Sequence, residues 1–404
     1  MSFFIDFSLL HRNKNFRLLF IGYFISLFST AMTGVALPYQ IYSQTHSTLM
    51  VGLLSLVQLI PLLGTALWGG VLADSKNTQA LGIISFILLG IGSILFALNT
   101  VFITHLLWPL FVIAAAVSAV TGLLRPAIGS LRQQLVAKPD YAAAGSLTIF
   151  LSSFSMIVGP AIGGLIIAHF GVVTVYLFGG ISYLAAIIAF LMFKNIPHRM
   201  KAAPQSSWRA ILDGFRYAAS RQELLGTYIV DFVAMIFGMP TALFPAIAAS
   251  LGGAKTLGLL YSAPAVGALI ASFVSGWSVK IKRHGQAIAI AATLWGIAII
   301  FFGLTTNLFW TLFFLTLAGG FDSISALFRG IMWNESIPHE FRGRLAGIEM
   351  ISYISGPKLG DTESGLVAAA FGVTASIISG GVLCVVGVAA CCYFMPKFLR
   401  YRSN

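Results

Sequence analysis

Charge is scarce in this sequence. Only 9% of its 404 residues are Asp, Glu, Lys or Arg, 58% are hydrophobic, and the mean hydropathy is +0.92. A soluble globular domain is thereby excluded, and an integral membrane protein is what remains. The short alternating segments of an outer-membrane barrel are missing as well. Long apolar stretches select α-helices, the other way to satisfy backbone polar groups in hydrocarbon. Cysteine is nearly absent: Cys384, Cys391 and Cys392 all fall in the last apolar stretch and read as small core or lipid-facing residues, which excludes a disulfide framework. The seven histidines lie at stretch ends or in loops. No loop carries a glycine loop followed by Lys, a metal-ligand cluster or a nucleophile motif. An enzyme is therefore not expected, and neither a metal nor a cofactor is implied.

What is present is a series of about twelve apolar spans, at 16–41, 49–73, 79–98, 106–131, 143–168, 172–193, 223–250, 256–279, 286–305, 308–335, 345–370 and 373–396. The start, MSFFIDFSLLHRNKNFR, lacks a small-residue cleavage site and is expected to be retained. Lys and Arg concentrate in every second loop: Arg12, Lys14 and Arg17 before the first span, Lys76, Lys138, the run from Lys194 to Arg221, Lys280 to Arg283, Arg342 and Arg344, and Lys397 to Arg402. The alternate loops have none apart from Lys255. By the positive-inside rule both termini are cytoplasmic and the number of spans is even. The net charge of +12 is then a matter of topology and lipid contact; nucleic-acid binding is not expected.

The longest connection, 194–222, falls just past mid-chain. NIPHRMKAAPQSS reads as a linker. WRAILDGFRYAAS places Trp208, Ile211, Leu212, Phe215 and Ala219 on one helical face, so it reads as an amphipathic helix on the membrane surface or as a plain connector. The halves on either side, 1–193 and 223–404, repeat. Gly52 and Gly70 are spaced like Gly258 and Gly276, Lys76 matches Lys282 at an offset of 206, and Arg125 matches Arg329 at 204. Parallel six-helix halves are a transporter layout, with the substrate handled near the midplane.

At this point the sequence resembles the major facilitator superfamily over its whole length. GGVLADSK is similar to the family's loop signature after the second helix, with Gly70 and Asp74 in the matching places, although the usual basic run after it is missing. IPHEFRGRLAGI matches the corresponding pattern after the tenth helix, with Glu340, Arg342 and Arg344. These charges are expected to form a cytoplasmic latch, or else simply to obey the positive-inside rule. SMIVGPAIGG resembles the superfamily's antiporter motif, here with Gly159, Pro160, Gly163 and Gly164. The resemblance implies export in exchange for protons; taken alone, the glycines require only close helix packing. GVALPYQIYSQTHSTLMVGL and LDGFRY narrow the resemblance to the siderophore- and drug-exporting branch of the superfamily, the group of the bacterial enterobactin exporter.

Ionisable residues inside spans are functional candidates, because each costs about 2.5 kcal/mol or more there. The first half offers only Arg125. The second has Asp231, Asp322, Arg329, Glu349, Lys358, Asp361 and Glu363. Asp322, Ser325 and Arg329 form one stripe at spacings of three and four. By resemblance, Arg125, Asp231, Asp322 and Arg329 line one cavity. Proton coupling is expected at Asp322, with Asp231 second and Glu349 as a further candidate, the alternative being a fixed ion pair. Arg125, Arg329 and Lys358 favour an anionic cargo, with Tyr39, Gln40 and Tyr261 along the path. Lys358 and Asp361 are also spaced to neutralise each other on one helix. The expected activity is proton-coupled efflux of a small anionic molecule, a siderophore by preference, from a bacterial inner membrane by a monomer; a multidrug or macrolide exporter is the alternative.

Overall fold

The computed structural model describes residues 7–75, 77–103, 106–193 and 208–403. Among them every regular element is helical. Six long helices come first: α1 (Lys14–Thr45), α2 (Thr48–Ser75), α3 (Thr78–Phe102), α4 (Trp108–Leu135), α5 (Tyr141–Phe170) and α6 (Val172–Leu191). The amphipathic α7 (Trp208–Ser220) precedes α8 (Gln222–Phe237), α9 (Phe244–Leu251), α10 (Ala254–Phe273), α11 (His284–Leu304), α12 (Leu308–Ser336), α13 (His339–Phe371) and α14 (Val373–Phe394).

Eleven helical stretches among the described residues are long and apolar enough to cross a membrane, with α8 and α9 counted as one. The segment expected to form another span, α13, is a 33-residue helix. Glu349, Lys358, Asp361 and Glu363 make it too polar to qualify by composition, although about 20 residues suffice in length.

The stretch 223–250 is one crossing, as expected, but its helix is interrupted: it stops at Phe237 and resumes through a 3-10 turn at Thr241–Leu243. Pro240 has no N–H to donate and disfavours helical geometry in the residue before it. Proline alone does not break these helices, since Pro38, Pro61, Pro126, Pro160, Pro264 and Pro357 all sit inside them. Here Gly238 adds a second weak point two residues earlier. The span expected at 256–279 likewise ends as a helix at Phe273 and finishes as a 3-10 segment, Ser275–Lys280.

The described chain divides into two compact units. Unit one runs to Gln40 and from Val57 to Phe193; unit two takes Ile41–Leu56 and everything from Trp208. Unit one centres on Phe86, Leu131, Leu147, Tyr183 and Phe190, with Phe86 edge-on to Phe190 at 4.9 Å. In unit two, Val230, Ile288, Phe328, Met332, Val388 and Phe398 form a corresponding core.

In α5 the run from Ser155 to Ile166 stays helical through Pro160. A Cβ on Gly159 would lie 2.7 Å from Ala31 Cβ, and one on Gly163 would lie 3.2 Å from Met32 Cα. The glycines therefore let α5 lie directly against α1. Gly164 is buried on the same helix. Hydrocarbon offers no hydrophobic push between helices, so this close approach supplies the packing contact.

Candidate functional site

In unit two, α12 carries the polar stripe. Ser325 and Arg329 are buried, and Asp322 is partly exposed. Arg329 is 7% exposed and forms a direct ion pair with Asp231 on α8. Asp322 Oδ1 stands 4.0 Å from the same guanidinium. From α13, Ser352 Oγ donates to Asp231 Oδ2 at 3.4 Å, and the exposed Glu349 is close enough to Arg329 to act on it electrostatically. Three helices thus bring one cation together with three carboxylates. The direct partner of Arg329 is Asp231, which the sequence ranks second. Asp322 is the less committed acid, about two turns from Arg329 along α12. One guanidinium cannot neutralise all three acids, so at least one carboxylate here is suited to carry a proton.

A second polar cluster surrounds Asp361 on α13, which is 8% exposed. Its Oδ1 accepts from Thr241 Oγ1 and from the Ala242 N–H at 2.9 Å, and its Oδ2 accepts from Ser55 Oγ at 2.7 Å. Thr241 and Ala242 lie in the break between α8 and α9, where backbone donors have no helical acceptor. Tyr261 donates its hydroxyl to the Thr241 carbonyl at 3.2 Å. Lys358, one turn before Asp361, acts on it electrostatically. Ser55, Thr241 and Ala242 are missed by a search of the sequence for charge. The one signal for them is the GMPT run that breaks the helix.

The remaining candidates are distributed as follows. Arg125 is exposed on α4 in unit one and has no ion-pair partner among the described residues. Gln40 is 2% exposed, donates to Thr100 Oγ1 at 3.0 Å and accepts from the Tyr176 hydroxyl at 2.7 Å, so it ties α1 to α3 and α6 inside unit one. That geometry gives it a packing role where the sequence suggests contact with cargo. Tyr39 beside it is half-buried. Gly70 and Asp74 lie on the last turns of α2, and Glu340, Arg342 and Arg344 on the first turns of α13; their side chains fall outside the described residues. Among the described residues no group of three His, Cys, Asp or Glu could hold a metal ion. The three cysteines are free.

On α7 the helix is as expected; the side chains of Trp208, Ile211 and Leu212 lie outside the described residues. Gly214 and Ala218 are buried, and Ala218 joins Leu224, Ile337 and Leu345 in a small core. Phe215 is 57% exposed and, with Ala219, lines an apolar cavity of about 510 Å³ shared with α8 and α13.

Eleven stretches long and apolar enough to cross a membrane, with a buried Arg–carboxylate cluster among them, make a multi-pass membrane protein. The solved structures whose fold it shares are transporters. A mutant of the peptide transporter POT superposes with a TM-score of 0.79 at 14% identity, covering 97% of this chain and 96% of the other. The nucleoside transporter NupG does so with a TM-score of 0.77 at 14% identity, covering 95% and 99%. The chain belongs to the major facilitator family described as transmembrane secretion effector, whose pattern matches residues 7–400. It is 28% identical over 403 residues to the enterobactin exporter EntS of Shigella boydii serotype 18, covering 96% of this chain and 93% of that protein. The EntS of Escherichia coli O1:K1 matches to the same extent.

Proposed function

We propose that this protein exports a small anionic molecule of the siderophore class across a bacterial inner membrane by alternating access, in exchange for protons. The observation that carries the direction and the cargo class is the full-length similarity to enterobactin exporters. The observation that favours proton exchange is the excess of carboxylate around Arg329. In this reading Asp322 takes up and releases the proton while Asp231 holds the guanidinium, and Glu349 modulates the pair. Arg125 and Arg329 attract the anionic cargo. Both termini lie in the cytoplasm, α13 crosses the membrane as the eleventh of twelve spans, and the protein works as a monomer of two six-helix halves, 1–193 and 223–404. Asp74 at the end of α2, and Glu340, Arg342 and Arg344 at the start of α13, are the residues of the two gating signatures.

The test is reconstitution. Proteoliposomes with an acidic lumen should accumulate an added catecholate siderophore against its gradient as protons leave, and a protonophore should abolish the uptake. Movement of hydrophobic cations with no movement of siderophores would favour the drug-exporter alternative. No gradient-dependent movement of either would overturn the antiporter reading.

A further inference from the structure

Asp361 takes no part in the Arg329 cluster, yet it is the most completely satisfied carboxylate described. Its partners come from three places in unit two. Ser55 belongs to the segment Ile41–Leu56, which contains the end of α1, a reversal at His46 (φ 51°) and the start of α2. Thr241 and the Ala242 N–H belong to the break between α8 and α9. Lys358 is on its own helix.

The rest of the contact between this hairpin and α13 is built for close approach without charge. Thr48 Oγ1 donates to the Gly365 carbonyl at 3.2 Å, and Thr362 Oγ1 donates to the Gly52 carbonyl at 3.1 Å. A Cβ on Gly52 would lie 2.8 Å from the Asp361 carbonyl oxygen, and one on Gly365 would lie 2.9 Å from Gly52 Cα. The hairpin touches α13 backbone to backbone, and Asp361 is the carboxylate that receives a hydrogen bond from it.

We propose that Asp361 is a proton-released latch: ionised, it fastens the Ile41–Leu56 hairpin and the break after α8 to α13, and protonated, it lets the hairpin go. The reason is donor arithmetic. All three of its hydrogen-bond partners are donors to a carboxylate. A proton on the carboxyl adds a further donor facing three groups that all donate to it. Ser55 and Thr241 can turn their hydroxyls, but the Ala242 N–H cannot, so protonation weakens the set and removes the attraction to Lys358.

The other titratable groups close by are Tyr261 on α10 and Glu363 two residues along α13. The break and α9 carry no charged residue, and α14 contributes only cysteines and Tyr393. In the hairpin itself His46 and Tyr42 are the titratable residues, stacked edge-on at 5.9 Å at its turn. The latch gives the proposed export cycle a purpose for the proton beyond the Arg329 cluster, and rests on that reading only for this purpose.

The experiment reads the hairpin directly and needs no cargo. In a background with Cys384, Cys391 and Cys392 replaced by Ala, Val51→Cys places a thiol at a site that is 2% exposed. Purified protein in nanodiscs is labelled with a maleimide across a pH series, with rates corrected for thiolate content. Labelling should fall about tenfold per pH unit on the alkaline side of its midpoint, the slope for one bound proton. Asp361→Asn should label fast and without that pH dependence. Ser55→Ala keeps the acid but removes a donor to its charged form, so the midpoint should move to higher pH. A flat profile in the parent, or a parent-like profile in Asp361→Asn, overturns the latch. If Asp361→Asn fails to fold, Ser55→Ala decides: an unchanged midpoint overturns it. Failed siderophore transport with an intact labelling profile would count against the export reading alone.

Discussion

Arg329 on α12 is bound directly by Asp231 on α8, while Asp322, on its own helix, stands 4.0 Å away. The two acids thus have unequal claims on one guanidinium. Asp231 makes the direct contact, and Asp322 stands at the longer one.

Arg329→Gln leaves the buried Asp231 without its cation and should destabilise the protein by about 3–5 kcal/mol. Asp231→Asn should cost less, because Asp322 at 4.0 Å remains to the guanidinium. The double replacement should cost much less than the sum, because it leaves no orphan on that side. Thermal unfolding of the four proteins in one detergent checks this; additive losses would show that the two residues do not depend on each other.

Asp322→Asn should leave the unfolding temperature nearly unchanged, since its side chain is 36% exposed and makes no direct pair. It should abolish proton-driven export in the proteoliposome assay. Full activity would transfer the coupling role to Glu349 or Asp361.

The glycines of α5 make a stability prediction independent of transport. Gly159→Val drives a branched side chain into Ala31, where even a bare Cβ would lie at 2.7 Å. Overpacking of this kind costs about 1–3 kcal/mol. Gly171, with φ 81° and open space around its Cα, is the informative contrast. Replacement there strains the backbone without a clash, so the loss at Gly171→Ala should not grow with side-chain size, whereas at position 159 it should. A series of Ala, Val and Leu at each site, read by thermal unfolding, separates the two.

Arg125→Ala should weaken binding of an anionic siderophore more than of a neutral analogue, and should do so without loss of stability because the residue is exposed and unpaired among the described residues. Isothermal titration with both ligands checks it. Equal effects on the two would assign Arg125 a role other than charge recognition.

Much of the site was legible in the sequence because intramembrane charge is rare and each instance stands out. Asp231, Asp322, Arg329 and Glu349 were all selected on that ground, and α8, α12 and α13 bring them together. The order of the two acids was not legible: the i, i+3 and i+4 stripe ties Asp322 to Arg329 along one helix and says nothing of a carboxylate arriving from another. Gln40 illustrates the converse. A polar side chain in an apolar helix suggests a lined path, but Thr100 and Tyr176 occupy both ends of its amide. The Asp361 cluster escaped because its partners are a serine, a threonine and a backbone N–H, residue types with no cost of insertion large enough to mark them.

By itself the sequence determined that the chain is helical and multi-pass, and where nearly every helix begins and ends. Those properties follow from the transfer of apolar side chains and the obligation to satisfy backbone groups within each segment, both of which are local. Only the tertiary structure decided that the seventh span is broken, that its freed donors are taken by Asp361, and that Arg329 belongs to Asp231. Each of these depends on which helices lie side by side, a relation between residues tens to hundreds of positions apart that no local pattern encodes.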